Sequence, residues 1–337
     1  MSTYNKLTFK DALDLKKGRG AMVNSLPELV DCITRLCEWL GGEHLAGKEE
    51  NPLKLSGCIS QKALTSGPYT WWFRGAGNNE HDLHSGLFRL DINALNYTTD
   101  VDGRIGLDRR LRHEYGRETR HHFNDLDCNV WDRLFEMQHY EMPTRLLDWT
   151  SSLMTALYFA INKAHKPDSL EHHPVIWMLN PRILSGVFLG EYAINDYAYL
   201  EVNGSDEEIK NWTKIQWGEG NKDKKFGTNN WIHNKLAVTP GHFPVLAGLT
   251  NERLLAQQGC FTLQGGNETA PLNLMADQQS AASEPRYLFK ILLNKDCIKP
   301  IWKQLQIVGV YEQFLFPEKV HIAASICEQR GLKQANR

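Results

Sequence analysis

Neither sign of charge dominates this chain of 337 residues: 38 Lys and Arg stand against 40 Asp and Glu, a formal charge of −2. That balance sets up no global field for nucleic acid or an anionic membrane, so such a partner needs a local patch. No apolar run approaches the ~20 residues of a membrane-spanning helix. Met1-Ser2-Thr3-Tyr4 opens no signal peptide, and the expectation is a cytoplasmic protein with no membrane partner. Seven cysteines, at 32, 37, 58, 128, 260, 297 and 327, contain no Cys-x-x-Cys pair, and their odd number suits reduced thiols. Gly75-Ala76-Gly77 lacks the third glycine and the Lys-Ser/Thr of a phosphate loop. A Gly-x-Ser-x-Gly elbow is missing too, which argues against a serine hydrolase, and Cys128 has little claim as a nucleophile without a lowered pKa. Repeats and low-complexity tracts are also missing.

What is present is apolar bulk. Hydrophobic residues make up 42% of the chain and ten are Trp, enough for a large core; without linker-like stretches, one large domain is expected. Ser25-Leu26-Pro27-Glu28 predicts a capped helix that keeps helical spacing through Leu29, Val30, Ile33, Leu36, Cys37 and Leu40 and ends at Gly41-Gly42. Tyr69 to Arg74 reads as an aromatic strand ended by Gly75 and Gly77. Residues 107–124 and 127–138 read as two helices. Residues 104–122 carry Arg104, Arg109, Arg110, Arg112, Arg117 and Arg120 with Asp108, Glu114 and Glu118 interleaved, so ion pairs along a solvated face explain the stretch better than nucleic-acid binding. His81 and His84 are spaced to share a helix face as metal ligands, but no second pair completes a site, and no metal is expected.

Later strands are expected at 174–180, from 238, at 257–263 and at 287–293. Gly259 marks a bulge or a close backbone approach. Residues 267–284 read as a polar hairpin tip or loop and 295–306 as a helix, while Leu315-Phe316-Pro317 leads into a closing helix. Strands and helices alternate without a βαβ rhythm, so the fold class is α+β with a mixed or antiparallel central sheet and flanking helices.

The densest chemistry lies at Gln138-His139-Tyr140-Glu141-Met142-Pro143-Thr144-Arg145-Leu146-Leu147-Asp148-Trp149-Thr150-Ser151-Ser152. Pro143 biases Met142 away from helical angles, so an extended turn is expected there. Thr150, Ser151 and Ser152 can each cap a helix whose apolar face is Leu153, Ala156, Leu157, Ala160 and Ile161. His139 is a candidate acid or base. Asp148 either orients His139 or pairs with Arg145, and in the second case the Arg145–Asp148 pair clamps the loop with Trp149 as a core anchor.

These residues resemble the FRG domain family. Its name-giving Phe-Arg-Gly stands at Phe73-Arg74-Gly75, and its Gln-His-Tyr, Pro-Thr-Arg-Leu-Leu-Asp-Trp-Thr and Ala-Leu-Tyr-Phe-Ala elements stand between 138 and 160. Arg253 with Gln257, Gln258, Gly259 and Phe261 matches a later element, and Leu315-Phe316-Pro317 the closing one. Leu83 to Arg89 fits the family's Leu-x-Pro-x-x-x-Arg, with Ser85 in place of Pro. The resemblance implies a domain over residues 22–325 with 182–237 as an insertion or lid, an N-terminal appendage at 1–21 and a tail at 326–337. It also favours Arg74 as a ligand group over a structural ion pair, with Arg89 a second anion-binding group or a surface salt bridge.

The motif order further looks like ADP-ribosyltransferases, which implies Arg74 on a phosphate, Thr150 and Ser151 near nicotinamide, and Gln257 or Gln258 where a glutamate is usual. Gln carries no charge for a cationic transition state, and Glu252 or Glu312 would have to supply it. Two functions follow as expectations. One is an NAD-consuming transferase or glycohydrolase acting as an effector of bacterial or phage conflict, with His139, Asp148 and Arg74 catalytic, NAD as substrate and Gln138, Arg89 and Arg145 among the binding residues. The other is a non-catalytic module that grips nucleotide phosphates or a protein partner.

Overall fold

A computed structural model describes residues 21–41, 71–91, 103–119, 130–163, 171–189, 200–201, 240–246, 252–266, 269–279 and 287–330. The expectations for 1–20, for Tyr69 and Thr70, for Arg120, Cys58 and Cys128, for most of 182–237 and for the tail beyond 330 lie outside them.

The strands are β1 (Ala21–Val23), β2 (Trp72–Ala76), β3 (Leu146–Thr150), β4 (Val175–Leu179), β5 (Leu200–Glu201), β6 (Gly241–Leu246), β7 (Gly259–Gly265) and β8 (Leu288–Leu293). They form one sheet in the order β1-β8-β4-β2-β3-β7-β6-β5. The outer pairs β1/β8 and β5/β6 are parallel and the others antiparallel, so the sheet is mixed and the class is α+β.

Pairing along the sheet is uneven. β2 and β4 match over five residues, and so do β3 and β7, but β2 and β3 meet at the single pair Phe73↔Thr150. From there β2 runs on to Ala76 and β3 back to Leu146 without further rungs. The sheet is therefore two four-stranded halves joined at one point, with a wedge opening between them.

The helices are α1 (Leu26–Gly41), α2 (Gly103–Glu118), α3 (Val130–His139), α4 (Leu153–Ile161), α5 (Pro181–Leu189), α6 (Glu252–Gln257), α7 (Leu272–Gln279), α8 (Ile298–Ile307), α9 (Glu312–Leu315) and α10 (Lys319–Gln329). α1 starts where expected: the Glu28 amide donates to Ser25 Oγ at 3.3 Å, and Glu28 Oε2 reaches back to the Asn24 amide at 2.8 Å. Ser152, of the three candidates, caps α4 by accepting from the Thr155 amide at 3.2 Å. Ala156, Leu157, Ala160 and Ile161 are buried, and Tyr158 packs on Trp302 of α8. α4 lies on β2 because Gly75 has no side chain. A Cβ there would fall 1.8 Å from the Ala156 carbonyl oxygen and 2.6 Å from the Ala160 nitrogen. Gly75 therefore does not end the strand, as its identity suggested; it admits a helix against it.

Several expectations need correction. The turn or extended chain expected before Thr144 is present at residues 140–144, but the motif continues into a central strand that was not expected, β3, whose Leu-Leu-Asp-Trp-Thr carries alternating burial at its middle. Residues 272–279 are helical rather than a loop tip, because Leu272 and Ala276, one turn apart, are both buried. Gly259 sits in regular register opposite Thr150, and its reason is close approach: a Cβ would meet Leu254 Cδ1 at 2.8 Å. His81 and His84 lie on an irregular segment, so they share no helix face, and His84 Nδ1 faces Gln264 Nε2 at 2.9 Å. α2 begins four residues earlier than expected, with Ile105 to Asp108 buried and Arg109 and Arg110 exposed.

His242 on β6 is fully buried, with Nε2 at 2.9 Å from the Ala270 carbonyl. Burial pushes its pKa down to about 4, so it folds as the neutral donor. The unfolded chain takes up a proton near pH 6.5 and the folded chain does not until about pH 4, so stability falls as pH drops through that window. The loss reaches about 3 kcal/mol. Guanidinium unfolding at stepped pH should show this slope, and His242→Leu should flatten it. An unchanged slope would move the acid sensitivity to other groups.

Candidate functional site

A cleft of about 850 Å³ opens at the wedge in the sheet. Its walls come from β2, β3 and the start of β7, from α4, from the end of α3 with the turn after it, and from Arg253, Phe316 and His321.

Four motif residues form one connected chain, of which Arg74, Gln138 and Asp148 line the cleft and Thr144 is buried behind it. Thr144 Oγ1 donates to Gln138 Oε1, which leaves the Gln138 amide nitrogen free to donate to Asp148 Oδ1 at 2.8 Å. Asp148 Oδ2 lies 3.7 Å from Arg74 Nη1, and the same nitrogen donates to the Asp148 carbonyl at 2.7 Å. Arg74 thus spans the gap where β2 and β3 no longer pair and satisfies a strand carbonyl from a side chain. Burial and the neighbouring Arg89 lower its pKa and Asp148 raises it; a guanidinium stays cationic regardless. The Asp148 side chain is 57% exposed, so its carboxylate faces the cleft, and its strand partner Phe261 lies 5.2 Å ring to ring from Phe135.

Arg89, exposed on the cleft wall and close enough to Arg74 to act on its charge, donates to the His84 carbonyl at 2.8 Å and makes no ion pair with a described residue. It keeps its place as an anion-binding candidate, and among the described residues the surface salt bridge does not form.

His139 is not oriented by Asp148. Its Nε2 lies 4.0 Å from Glu318 Oε1, and its carbonyl accepts weakly from Arg253 at 3.5 Å. Burial and Arg253 lower its pKa against the opposing pull of Glu318, so at neutral pH the ring is uncharged. α3 therefore delivers Gln138 to Asp148 and His139 to the Arg253–Glu318 group. α3 closes through Glu141 at φ 61°, with the Glu141 amide donating to the Gln138 carbonyl and the Met142 amide to that of Met137.

Arg145 is not in the cleft. It is fully buried, with Nε 3.2 Å from Asp108 Oδ2, and its side chain braces α2 against the sheet. This overturns both the clamp with Asp148 and the role on a ligand. Trp149 is the core anchor expected, buried and donating from Nε1 to Thr262 Oγ1 at 3.0 Å.

Thr150 and Ser151 stitch two segments. Thr150 Oγ1 donates to the Gln257 carbonyl at 2.6 Å, the Ser151 amide to the Gln258 carbonyl at 3.0 Å, and Ser151 Oγ to Gln258 Oε1 at 3.1 Å. Gln258, at φ 48°, turns the chain out of α6, so both glutamines precede β7 instead of standing on it. Gln257 lines the cleft and donates to the Leu315 carbonyl at 3.1 Å. Glu312 pairs with His321 at 3.8 Å.

Sequence reasoning missed Asp108, read as a surface acid, and Glu318, which no motif distinguished. It also missed Phe159 of the cleft wall, although Phe159 follows Thr155 one turn later on α4. Among the described residues no three His, Cys, Asp or Glu side chains converge as a metal site requires, and no helix is long and apolar enough to cross a membrane.

Neither a curated protein nor a solved structure matches the chain. Residues 69–169, which carry β2, α2, α3, β3 and α4 and so the whole Arg74–Gln138–Thr144–Asp148 chain, match the family model described as the FRG domain, and an FRG domain is present in this protein.

Proposed function

We propose that the cleft in the split sheet binds a nucleotide, that the nucleotide is NAD, and that the protein breaks its nicotinamide–ribose bond. The observation that carries this reading is the placement of the exposed Asp148 carboxylate at the centre of a cleft with Arg74 and Arg89 beside it and Phe135, Phe159 and Phe261 around it. Guanidinium groups suit phosphates, aromatic faces suit bases, and about 850 Å³ lies within the usual size of ligand clefts.

In the reaction, the electron pair of the N-glycosidic bond leaves with nicotinamide and a ribosyl cation develops. Asp148 supplies the negative charge that Gln257 and Gln258 lack. Water or an acceptor hydroxyl closes the bond to carbon, and its proton passes to the Asp148 carboxylate. Thr150 and Ser151 shape the strand end through their bonds to Gln257 and Gln258. The likeness to ADP-ribosyltransferases rests on motif order, and the role as an effector in bacterial or phage conflict follows from the activity if NAD is depleted.

A second reading, a nucleotide-binding module without turnover, is favoured by the engagement of Asp148 with both Gln138 and Arg74, which offsets part of its charge. Nicotinamide release from NAD separates the two. Asp148→Asn keeps an acceptor for Gln138 and is expected to slow release by about a hundredfold or more. Arg89→Ala is expected to weaken NAD binding about tenfold with an unchanged melting temperature, since its loss removes one charge-assisted contact. Arg74→Ala is the poorer probe, because Arg74 also braces the sheet. Stabilisation by NAD without release would establish the second reading, and neither release nor stabilisation would overturn both.

A further inference from the structure

The cleft has two groups of cations, and the proposed function uses one. Arg89 is the positive charge that acts on Arg74, whereas Arg253 is the one that acts on His139. The second group stands at the end of the cleft bounded by Phe316 and His321. The Arg253 guanidinium carbon stands 4.6 Å from the centre of the Phe316 ring, and the His321 ring packs on Phe316 at 5.0 Å. Two long contacts hold its Nη1: the His139 carbonyl at 3.5 Å and Glu318 Oε1 at 3.8 Å. Its Nε and Nη2 have no partner among the described residues, and the side chain is 20% exposed. Arg253 lines the cleft and Glu318 does not.

A guanidinium fixed on an aromatic ring, with paired donors unspent, is suited to an anion with several oxygens next to a planar base. Resting on the reading of the cleft as an NAD site, we propose that the Arg253 end receives a further phosphate carried on the distal ribose, so that the preferred ligand is the phosphorylated dinucleotide, NADP, rather than NAD. Arg74 and Arg89 take the diphosphate, Arg253 takes the ribose phosphate, and Phe316 with His321 bounds the adjoining base.

The test is calorimetric titration of the full chain with NADP and, separately, with NAD. NADP should bind at least tenfold more tightly. Arg253→Met, which keeps the apolar stem on Phe316, should bring NADP to within threefold of NAD without changing the NAD affinity, and Arg253→Lys should retain an intermediate preference. Circular dichroism melts establish that each variant is folded. Equal affinities in the wild type, or a preference that survives Arg253→Met, would overturn the inference and leave the NAD reading standing. Binding of neither dinucleotide would overturn the two together.

Discussion

Replacing Gly75 by alanine is expected to leave no stably folded protein. The added Cβ would stand 1.8 Å from the Ala156 oxygen, 2.6 Å from the Ala160 nitrogen and 2.8 Å from the Ala156 carbonyl carbon, all backbone atoms of α4. No side-chain rotation relieves such a contact, so the whole helix must retreat. α4 is pinned from behind by its buried Leu157, Tyr158 and Ile161 and by Trp302. Overpacking a core usually costs about 1–3 kcal/mol, where side chains can adjust. Here backbone meets backbone, and the cost is comparable to the whole stability of a domain, about 5–15 kcal/mol. Soluble yield and a thermal melt check this. A variant melting within a few degrees of wild type would mean that α4 does not rest on β2 at Gly75.

The second large effect concerns the buried ion pair of Arg145 and Asp108. Asp108 Oδ2 lies 3.2 Å from Arg145 Nε as an ion pair and accepts a hydrogen bond from Arg112 Nε at 3.0 Å. Burial lowers the pKa of Arg145 and Asp108 opposes that shift. The two substitutions are therefore unequal. Asp108→Ala leaves a fully buried guanidinium without the carboxylate facing it, a loss of about 3–5 kcal/mol. Arg145→Met leaves Asp108 still bonded to Arg112 and is expected to cost less, about 1–3 kcal/mol. The double variant Asp108→Leu with Arg145→Met removes both charges and should recover much of the loss, which a double-mutant cycle in guanidinium would read. If Arg145→Met cost more than Asp108→Ala, the main support of Arg145 would have to lie elsewhere.

This pair also explains where sequence reasoning failed. Arg145 and Asp148 are three residues apart, which looks like proximity in a turn. In an extended strand an odd separation puts two side chains on opposite faces, and the chain is extended here. Reading Leu146–Thr150 as a strand would have excluded the clamp at once. The true partners are remote: Asp108 for Arg145, Arg74 for Asp148, Glu318 for His139. Local spacing holds no record of such pairings. Legible elements were those whose cause is local, such as the cap at Ser152, the apolar face of α4, the run of β4 and the closing helix after Pro317. The motif was legible as a site, but only the fold divides it into residues that face the cleft and residues that hold the cleft open.

The single rung between β2 and β3 has a mechanical meaning. An eight-stranded sheet normally resists bending along its whole width, because every ladder shares the load. In this one the ladder between the halves is reduced to Phe73 and Thr150, with the Arg74 side chain as a tie across the opening. The span between the two halves is the cleft itself. A ligand that touches both β2 and β3 adds cross-links where the ladder has a single rung, so that occupancy and rigidity become one variable.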